Sequence, residues 1–306
     1  GHYSSPLGVV DLTLVLHYIY NTPKDKIVWD VGHQAYAHKI ITGRKNRFNT
    51  LRKKDGISGF LKIDESEHDI FGAGHASTSI SAALGFAHAR DKEQSKSQVV
   101  AIIGDGAMTG GMAYEGINNL GYHKTQLTVV LNDNSLSISK SVGALSKYLT
   151  FITTNKTYNK LRKNVWSFSG KIPLISRAVR YFIKKSEKAL KGSLTPGSLF
   201  EDLGLRYIGP IDGHNLKDLI RTFKSIKEMN GPILVHIYTK KGKRISVSED
   251  ESVKYYSLSG NSTNKTKSLP IDYSKVFGLS LNKHSKKYKD FLCITAAMEI
   301  GTGLEI

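Results

Sequence analysis

The segment 104–134, GDGAMTGGMAYEGINNLGYHKTQLTVVLNDN, decides the fold. It is entered from an apolar run, VVAII (99–103), and it closes on a second, LTVVL (127–131). Near-continuous β-branched runs of this kind are expected of strands covered on both faces. A helix between them completes a parallel strand–helix–strand unit of about 35 residues. The unit brings two carboxyl ends together, one carrying Asp105 between two glycines and the other carrying Asn132-Asp133-Asn134.

Glycines flanking Asp105 let backbone approach a ligand closely, and a following helix offers free N–H groups to phosphate oxygens. If the two strands are neighbours, the Asp105 carboxylate and the Asn134 amide oxygen converge on one hard cation. Such a cation prefers oxygen ligands and commonly shares them with a diphosphate. Mg²⁺ suits that set. A Walker loop is absent, and the dinucleotide pattern G-x-G-x-x-G fails because Gly104-x-Gly106 is followed by Thr109. GDG alone is a weak signal, whereas GDG followed at this spacing by NDN, each closing an apolar strand, is far more specific.

Outward from this unit, VVDLTLVLHYIY (9–20) is apolar at helical spacing, IVWDVGH (27–33) reads as a buried strand ending in glycine, and residues 40–60 read as a polar connection. STSISAALGFAHARDK (77–92) reads as a helix entered through the glycine-rich Gly72-Ala-Gly-His-Ala-Ser77, and PILVHIYTKKG (232–242) as a further strand ending at basic residues. From Lys156 to Lys191 the chain is strongly basic, with an amphipathic helix expected at 174–190. A Ser-, Asn- and Lys-rich linker follows Ile245, containing a helical stretch at 274–287, and FLCITAAMEIGTGLEI (291–306) reads as a strand and the start of a helix. The expected organisation is a doubly wound, largely parallel α/β domain over 1–245, including a basic helical segment 150–195, then a linker over 246–289 and the start of a second domain at 290–306.

The 306 residues include 44 basic and 26 acidic side chains, giving a formal charge of +18, and only ten of the basic residues are arginine. A lysine excess fits anionic ligands, but scattered surface lysines are the favoured explanation. The apolar spacing of 174–190 argues against a nucleic-acid role. One cysteine, Cys293, excludes an intramolecular disulfide framework and any multi-cysteine metal site. No apolar run approaches the roughly 18 residues of a membrane span, and the first residues lack the pattern of a secretion signal.

The GDG–NDN pair is similar to the cofactor motif of thiamine diphosphate enzymes. GHYSSPLGVVDLTLVLHYIYNTP (1–23), IVWDVGHQAYAHKIITGR (27–44), GAGHASTSIS (72–81), LNDNSLSIS-x-x-VGAL (131–145), LFEDLGLRYIGPIDGHN (199–215) and GPILVHIYTKKG (231–242) narrow it. Together they resemble the 1-deoxy-D-xylulose-5-phosphate synthase family of transketolase-type enzymes, nearly continuously over 1–242 and more weakly at YSKVFG (273–278) and ITAAMEIGTG (294–303). The resemblance implies a decarboxylating condensation of pyruvate with D-glyceraldehyde 3-phosphate on bound thiamine diphosphate and Mg²⁺. It further implies a role in isoprenoid, thiamine and pyridoxal supply, a homodimer, and residence in a bacterial cytoplasm or a plastid-like organelle.

Carried over by motif, Asp105, Asn134 and the Leu136 carbonyl would ligate Mg²⁺, Gly106 and Ala107 would present backbone to the diphosphate, and His33, Gly74, His75, Ala76 and Asn134 would contact the coenzyme. His2 matches a histidine that the family places near the reacting carbons as a proton carrier. Asp212 and His214 read as a turn, and His17, His38, His68, His88 and His123 as structural. The chain departs from the family pattern at Ile245, Tyr256 and Ala76. The family's coenzyme-activating glutamate would lie beyond Ile306, and neither Glu299 nor Glu305 matches it, so this chain is expected to be truncated and slow or inactive alone. Two other readings remain: another transketolase-type sugar-phosphate transferase, and a non-catalytic cofactor-binding module.

Overall fold

The structure, a computed structural model, describes residues 2–134, 144, 147–149, 197–243, 272–288, 290–295 and 298–305. The basic segment 156–191, Leu136, Ile245 and Tyr256 lie outside the described residues. Five parallel strands form one sheet in the order β1-β2-β3-β5-β4: β1 (Lys26–Trp29), β2 (Val99–Gly104), β3 (Thr128–Asp133), β4 (Arg206–Asp212) and β5 (Ile233–Tyr238). This is the doubly wound α/β architecture expected from the apolar runs.

Alternation along each strand sends side chains to both faces, and both faces are covered. On one, Ala101, Ile103, Val129 and Leu131 pack with Ile80, Ala83 and Leu84 of α4 (Ser79–Lys92) and with Ile117 and Leu120 of α6 (Gly111–His123). On the other, Val100, Ile102, Val130 and Val235 meet Leu12 and Leu16 of α2 (Val10–Ile19) and Leu219 and Phe223 of α8 (Leu216–Lys227). Further helices among the described residues are α1 (Ser4–Gly8), α3 (Tyr36–Lys39), α5 (Asp105–Met108), α7 (Ser198–Asp202), α9 (Tyr273–Lys287) and α10 (Glu299–Thr302).

The structure adds β4 and α8, which the sequence reading leaves unassigned. β4 is an edge strand with a register shift between Ile208 and Ile211, where Pro210 supplies no N–H to a ladder. The helix α8 carries apolar residues at 216, 219, 220, 223 and 226, and the Asn215 side chain accepts from the Asp218 N–H at its start.

Two expectations are corrected. Residues 40–50 are not a plain polar connection but a helical turn kinked at Thr42 and Gly43 (φ 94°), leading into a 3-10 helix, Lys45–Thr50. Arg44 is buried, its guanidinium donating to Asp69 Oδ2 (2.6 Å) and Oδ1 (2.8 Å). Residues 291–295 form no strand; Leu292 and Ile294 are 90% and 98% exposed, with no neighbouring strand to pair them among the described residues. The helix anticipated at 274–287 is present as α9, capped by Asp272, and Ser274 Oγ donates to the Gly301 carbonyl (3.0 Å) in α10. No helix among the described residues is long and apolar enough to cross a membrane.

Candidate active site

β2 and β3 pair in parallel with Gly104 opposite Asn132, so the GDG and NDN triplets lie side by side at the carboxyl edge of the sheet. Asp105 opens α5 with its carboxyl buried. Burial raises its pKa and the nearby Asp133 raises it further, while Lys241 and the backbone N–H of Gly106 oppose the shift. The Asn132 and Asp133 side chains are held by the protein. Asn132 donates to Gln34 Oε1 (2.8 Å) and accepts from Thr239 Oγ1 (2.7 Å). Asp133 Oδ2 pairs with Nε2 of the fully buried His236 (3.0 Å), whose Nδ1 meets the Tyr207 hydroxyl (2.7 Å). Asn134 follows the last strand residue and is half-buried. Leu136 lies outside the described residues.

The loop carrying Gly74-His75-Ala76 is fastened to the same corner. Asp30, just past β1, accepts from the Ser77 N–H (2.9 Å) and the Ser79 N–H (3.0 Å), satisfying donors at the start of α4. Ser77 Oγ then donates to the Ala107 carbonyl (2.6 Å). That contact depends on Gly110, where a Cβ would stand 2.1 Å from Ser77 Oγ and 2.9 Å from Ser77 Cβ. Gly74 adopts φ +152°, and a Cβ there would meet nothing within 4 Å, so its backbone faces open space. His75 is exposed, with Nδ1 3.0 Å from the Ala76 carbonyl.

A second cluster adjoins this corner. The His2 and His33 rings meet edge to face at 5.4 Å, and Arg52 lies 3.0 Å from His2 Nδ1. Arg52 can only donate, so Nδ1 accepts and Nε2 carries the proton in neutral His2. Burial lowers the His2 pKa to about 4, helped by the Arg52 charge. Burial also lowers His33 to about 3, with further contributions from His2 and Lys241, and His33 Nδ1 is buried without a hydrogen-bond partner. Both rings are therefore neutral at pH 7. Lys241 acts on His33 and on Asp105 alike, which makes the two clusters one electrostatic neighbourhood.

Of the residues singled out in the sequence, Asp105 and Asn134 follow the paired ends of β2 and β3, Gly74–Ala76 and Gly106–Ala107 are stitched together through Ser77, and His2 contacts His33. Sequence reasoning missed Asp30, Gln34, His236 and Lys241. Only Lys241 carried a signal, as a lysine just past a strand. Among the described residues, no group of three or more His, Cys, Asp or Glu could hold a metal ion. A cation bound here would need amide, carbonyl or ligand oxygens beside Asp105.

The family model described as 1-deoxy-D-xylulose-5-phosphate synthase matches residues 1–239. Relatives bearing that name include proteins from Syntrophus aciditrophicus, 49% identical over 99% of this chain and 48% of theirs, and from Caldanaerobacter subterraneus, 48% identical over 99% and 49%. The chain thus spans about half the length of the curated relatives it matches. Among solved structures, transketolase from Campylobacter jejuni superposes with a TM-score of 0.58 at 17% identity, covering 100% of this chain and 42% of that one. Transketolase from Leishmania mexicana gives 0.55 at 16%, covering 80% and 34%. These two likenesses establish the fold. With the family model spanning residues 1–239, the chain belongs to the 1-deoxy-D-xylulose-5-phosphate synthase family.

Proposed function

We propose that this chain is the coenzyme-diphosphate half of a thiamine diphosphate- and Mg²⁺-dependent transferase that condenses pyruvate with D-glyceraldehyde 3-phosphate, releasing CO₂ and forming 1-deoxy-D-xylulose 5-phosphate. The observation that carries the reading is the placement of the buried Asp105 carboxyl beside NDN at adjoining strand ends, in a chain 49% identical to a named synthase over 99% of its length. The residues fit the coenzyme. A buried carboxyl crowded by a second one calls for a cation, Gly106 is exposed at the start of α5, and His33 Nδ1 is an orphaned polar atom at the same edge.

Asp105, Asn134 and the Leu136 carbonyl hold Mg²⁺ in this account, and Gly106 and Ala107 receive the diphosphate. Gly74, His75, Ala76 and His33 line the coenzyme. When bound, thiamine diphosphate supplies the electron sink for decarboxylation and carbon–carbon bond formation. His2 presents an Nε2–H to a substrate oxygen, because Arg52 fixes Nδ1 as the acceptor. Arg52 is itself held by the Tyr36 hydroxyl (3.2 Å) and lies over the Phe60 ring (5.1 Å). Residues 1–245 form the diphosphate-binding domain, 246–289 a linker and 290–306 the start of a second domain. The working protein is a homodimer, and the product feeds isoprenoid and thiamine biosynthesis.

The test is product formation from pyruvate and D-glyceraldehyde 3-phosphate with thiamine diphosphate and Mg²⁺, using the chain alone and mixed with the C-terminal half of a relative. Product is expected only in the mixture. Coenzyme binding without product in either case would favour a non-catalytic cofactor-binding module.

A further inference from the structure

We propose that the Gln34 side-chain amide donates to the coenzyme diphosphate and that Asn132 and Thr239 turn its donor end toward that ligand; this rests on the coenzyme reading above. Gln34 follows His33 in the loop after β1, and only 2% of it is exposed. It lies against Asn132, the first residue of NDN, and Gly104, the first of GDG, which face each other in the β2–β3 register. Residues paired in this way point to the same face of a sheet, so the Asn132 amide stands beside the place where Gly104 has no side chain. A Cβ on Gly104 would stand 3.8 Å from Gln34 Nε2 and, its own chain neighbours apart, within 4 Å of nothing else among the described residues. The Gln34 amide thus borders an open space beside the GDG triplet.

Three side chains form a directed chain of hydrogen bonds. The hydroxyl of Thr239, just past β5, donates to Asn132 Oδ1 (2.7 Å), and Asn132 Nδ2 donates to Gln34 Oε1 (2.8 Å). An amide has one acceptor end and one donor end. With Oε1 taken by Asn132, the end that meets the space beside Gly104 is Nε2, which makes no hydrogen bond among the described residues. Turning both amides over would instead aim a carbonyl oxygen at a corner that already holds the buried Asp105 and Asp133 carboxyls. A buried amide donor left unpaired is costly, and the group that completes it must bring an acceptor to GDG. A diphosphate oxygen is such an acceptor, and its charge makes the contact roughly twice as strong as one between neutral groups.

Calorimetric titration of the chain with thiamine diphosphate, and separately with inorganic diphosphate, both in Mg²⁺, tests the assignment. Gln34→Met removes the amide without adding charge, whereas Gln34→Glu keeps an acceptor for Asn132 and removes only the donor. Each is expected to weaken both ligands roughly 10- to 100-fold, the loss of one hydrogen bond to a charged group. Thr239→Val, which frees the two amides to turn over, should weaken both by about 3- to 10-fold, and Thr239→Ser, which keeps the hydroxyl, should recover them. Wild-type affinity in either Gln34 variant would overturn the contact, leaving Gln34 a support for Asn132 only. A loss confined to thiamine diphosphate would overturn the diphosphate as the acceptor. Wild-type affinity in Thr239→Val would overturn the orienting role. Wild-type protein that binds neither ligand would instead refute the coenzyme reading, and this inference with it. Melting curves run in parallel identify any variant that fails to fold, and the other Gln34 variant then decides the contact.

Discussion

Beside β1, Asp69 and Glu65 are matched by Arg44 and Lys39, whereas at the carboxyl ends of β2 and β3 two buried carboxyls, Asp105 and Asp133, share their neighbourhood with Lys241. The first cluster is closed. Asp69 also accepts from His38 (3.2 Å) and from the Lys62 N–H (3.2 Å), Glu65 accepts from the Ser58 N–H (2.7 Å), and His17 completes the chain through His38 (2.9 Å). Burial alone would raise Asp69, yet the bonds from His38 and Arg44 hold it well below the ordinary carboxylate range. Arg44 Nε is buried without a hydrogen-bond partner among the described residues. In the second cluster burial wins. Asp105 is pushed up, its crowding by Asp133 adds to the shift, and His33 Nδ1 has nothing to bond. Both clusters are buried and polar, but at Asp69 the bonds outweigh burial, whereas at Asp105 burial outweighs them. Buried charge that its own fold satisfies is architecture, and buried charge left in excess marks a place for a ligand.

The comparison is broken most forcefully at Arg44. Arg44→Ala strands Asp69 and weakens Glu65, and removing one partner of a buried ion pair costs about 3–5 kcal/mol. At about 2–4 °C per kcal/mol for a domain of this size, the melting temperature should fall by about 10 °C. Mg²⁺-dependent coenzyme binding should survive wherever the variant remains folded. An unchanged melting temperature would show that the balanced cluster is not structural.

A smaller effect, with the opposite pattern, is expected at Gly110. A methyl there must displace Ser77 and with it the loop at Gly74–Ala76. Overpacking of this kind costs about 1–3 kcal/mol. Gly110→Ala should therefore lower coenzyme affinity along with a modest loss of stability, and an affinity equal to wild type would show that the stitched loop does not belong to the site.

Acid sharpens the contrast further. Burial, aided by His38 and His68, holds His17 at about 4, against 6.5 for the unperturbed group, so between those values the unfolded chain binds more protons than the folded one. Stability is then lost as pH falls from about 6.5 toward 4, and it is recovered on raising the pH. His17→Gln should flatten that part of a denaturation profile. A slope identical to wild type would remove His17 from the cause.

The parts of this molecule that were legible in the sequence follow strict periodicities. Runs such as VVAII and TVVL have few alternatives once both faces are apolar, and α2 and α4 show helical spacing with glycine or polar residues at their ends. The helix α8 is equally legible at Leu216, Leu219, Phe223 and Ile226, with Asn215 as its cap, although the reading above leaves it unassigned. Strand β4 was hidden for a physical reason: Gly209 and Pro210 interrupt it, and an edge position tolerates both. Residues 40–50 looked like solvated surface because Lys39 and Arg44 read as exposed until Glu65 and Asp69, more than twenty positions away, arrive to pair with them. At the site, motif residues were found and their supports were not. The pairing of Asp133 with His236, of Asn132 with Gln34 and Thr239, and of Asp30 with Ser77 and Ser79 joins segments far apart in the chain, and no local pattern records them.

The most direct measurement is calorimetric titration of thiamine diphosphate into the wild-type chain and into Asp105→Asn, each with Mg²⁺ and with a chelator, together with melting of both ligand-free proteins. The account predicts heat of binding only for wild type with Mg²⁺, and a ligand-free Asp105→Asn at least as stable as wild type, because a charge unfavourably buried has been removed. Binding that persists in chelator or in Asp105→Asn, or a variant clearly less stable than wild type, would contradict the claim that Asp105, its pKa raised by burial, is kept for a metal-bound diphosphate.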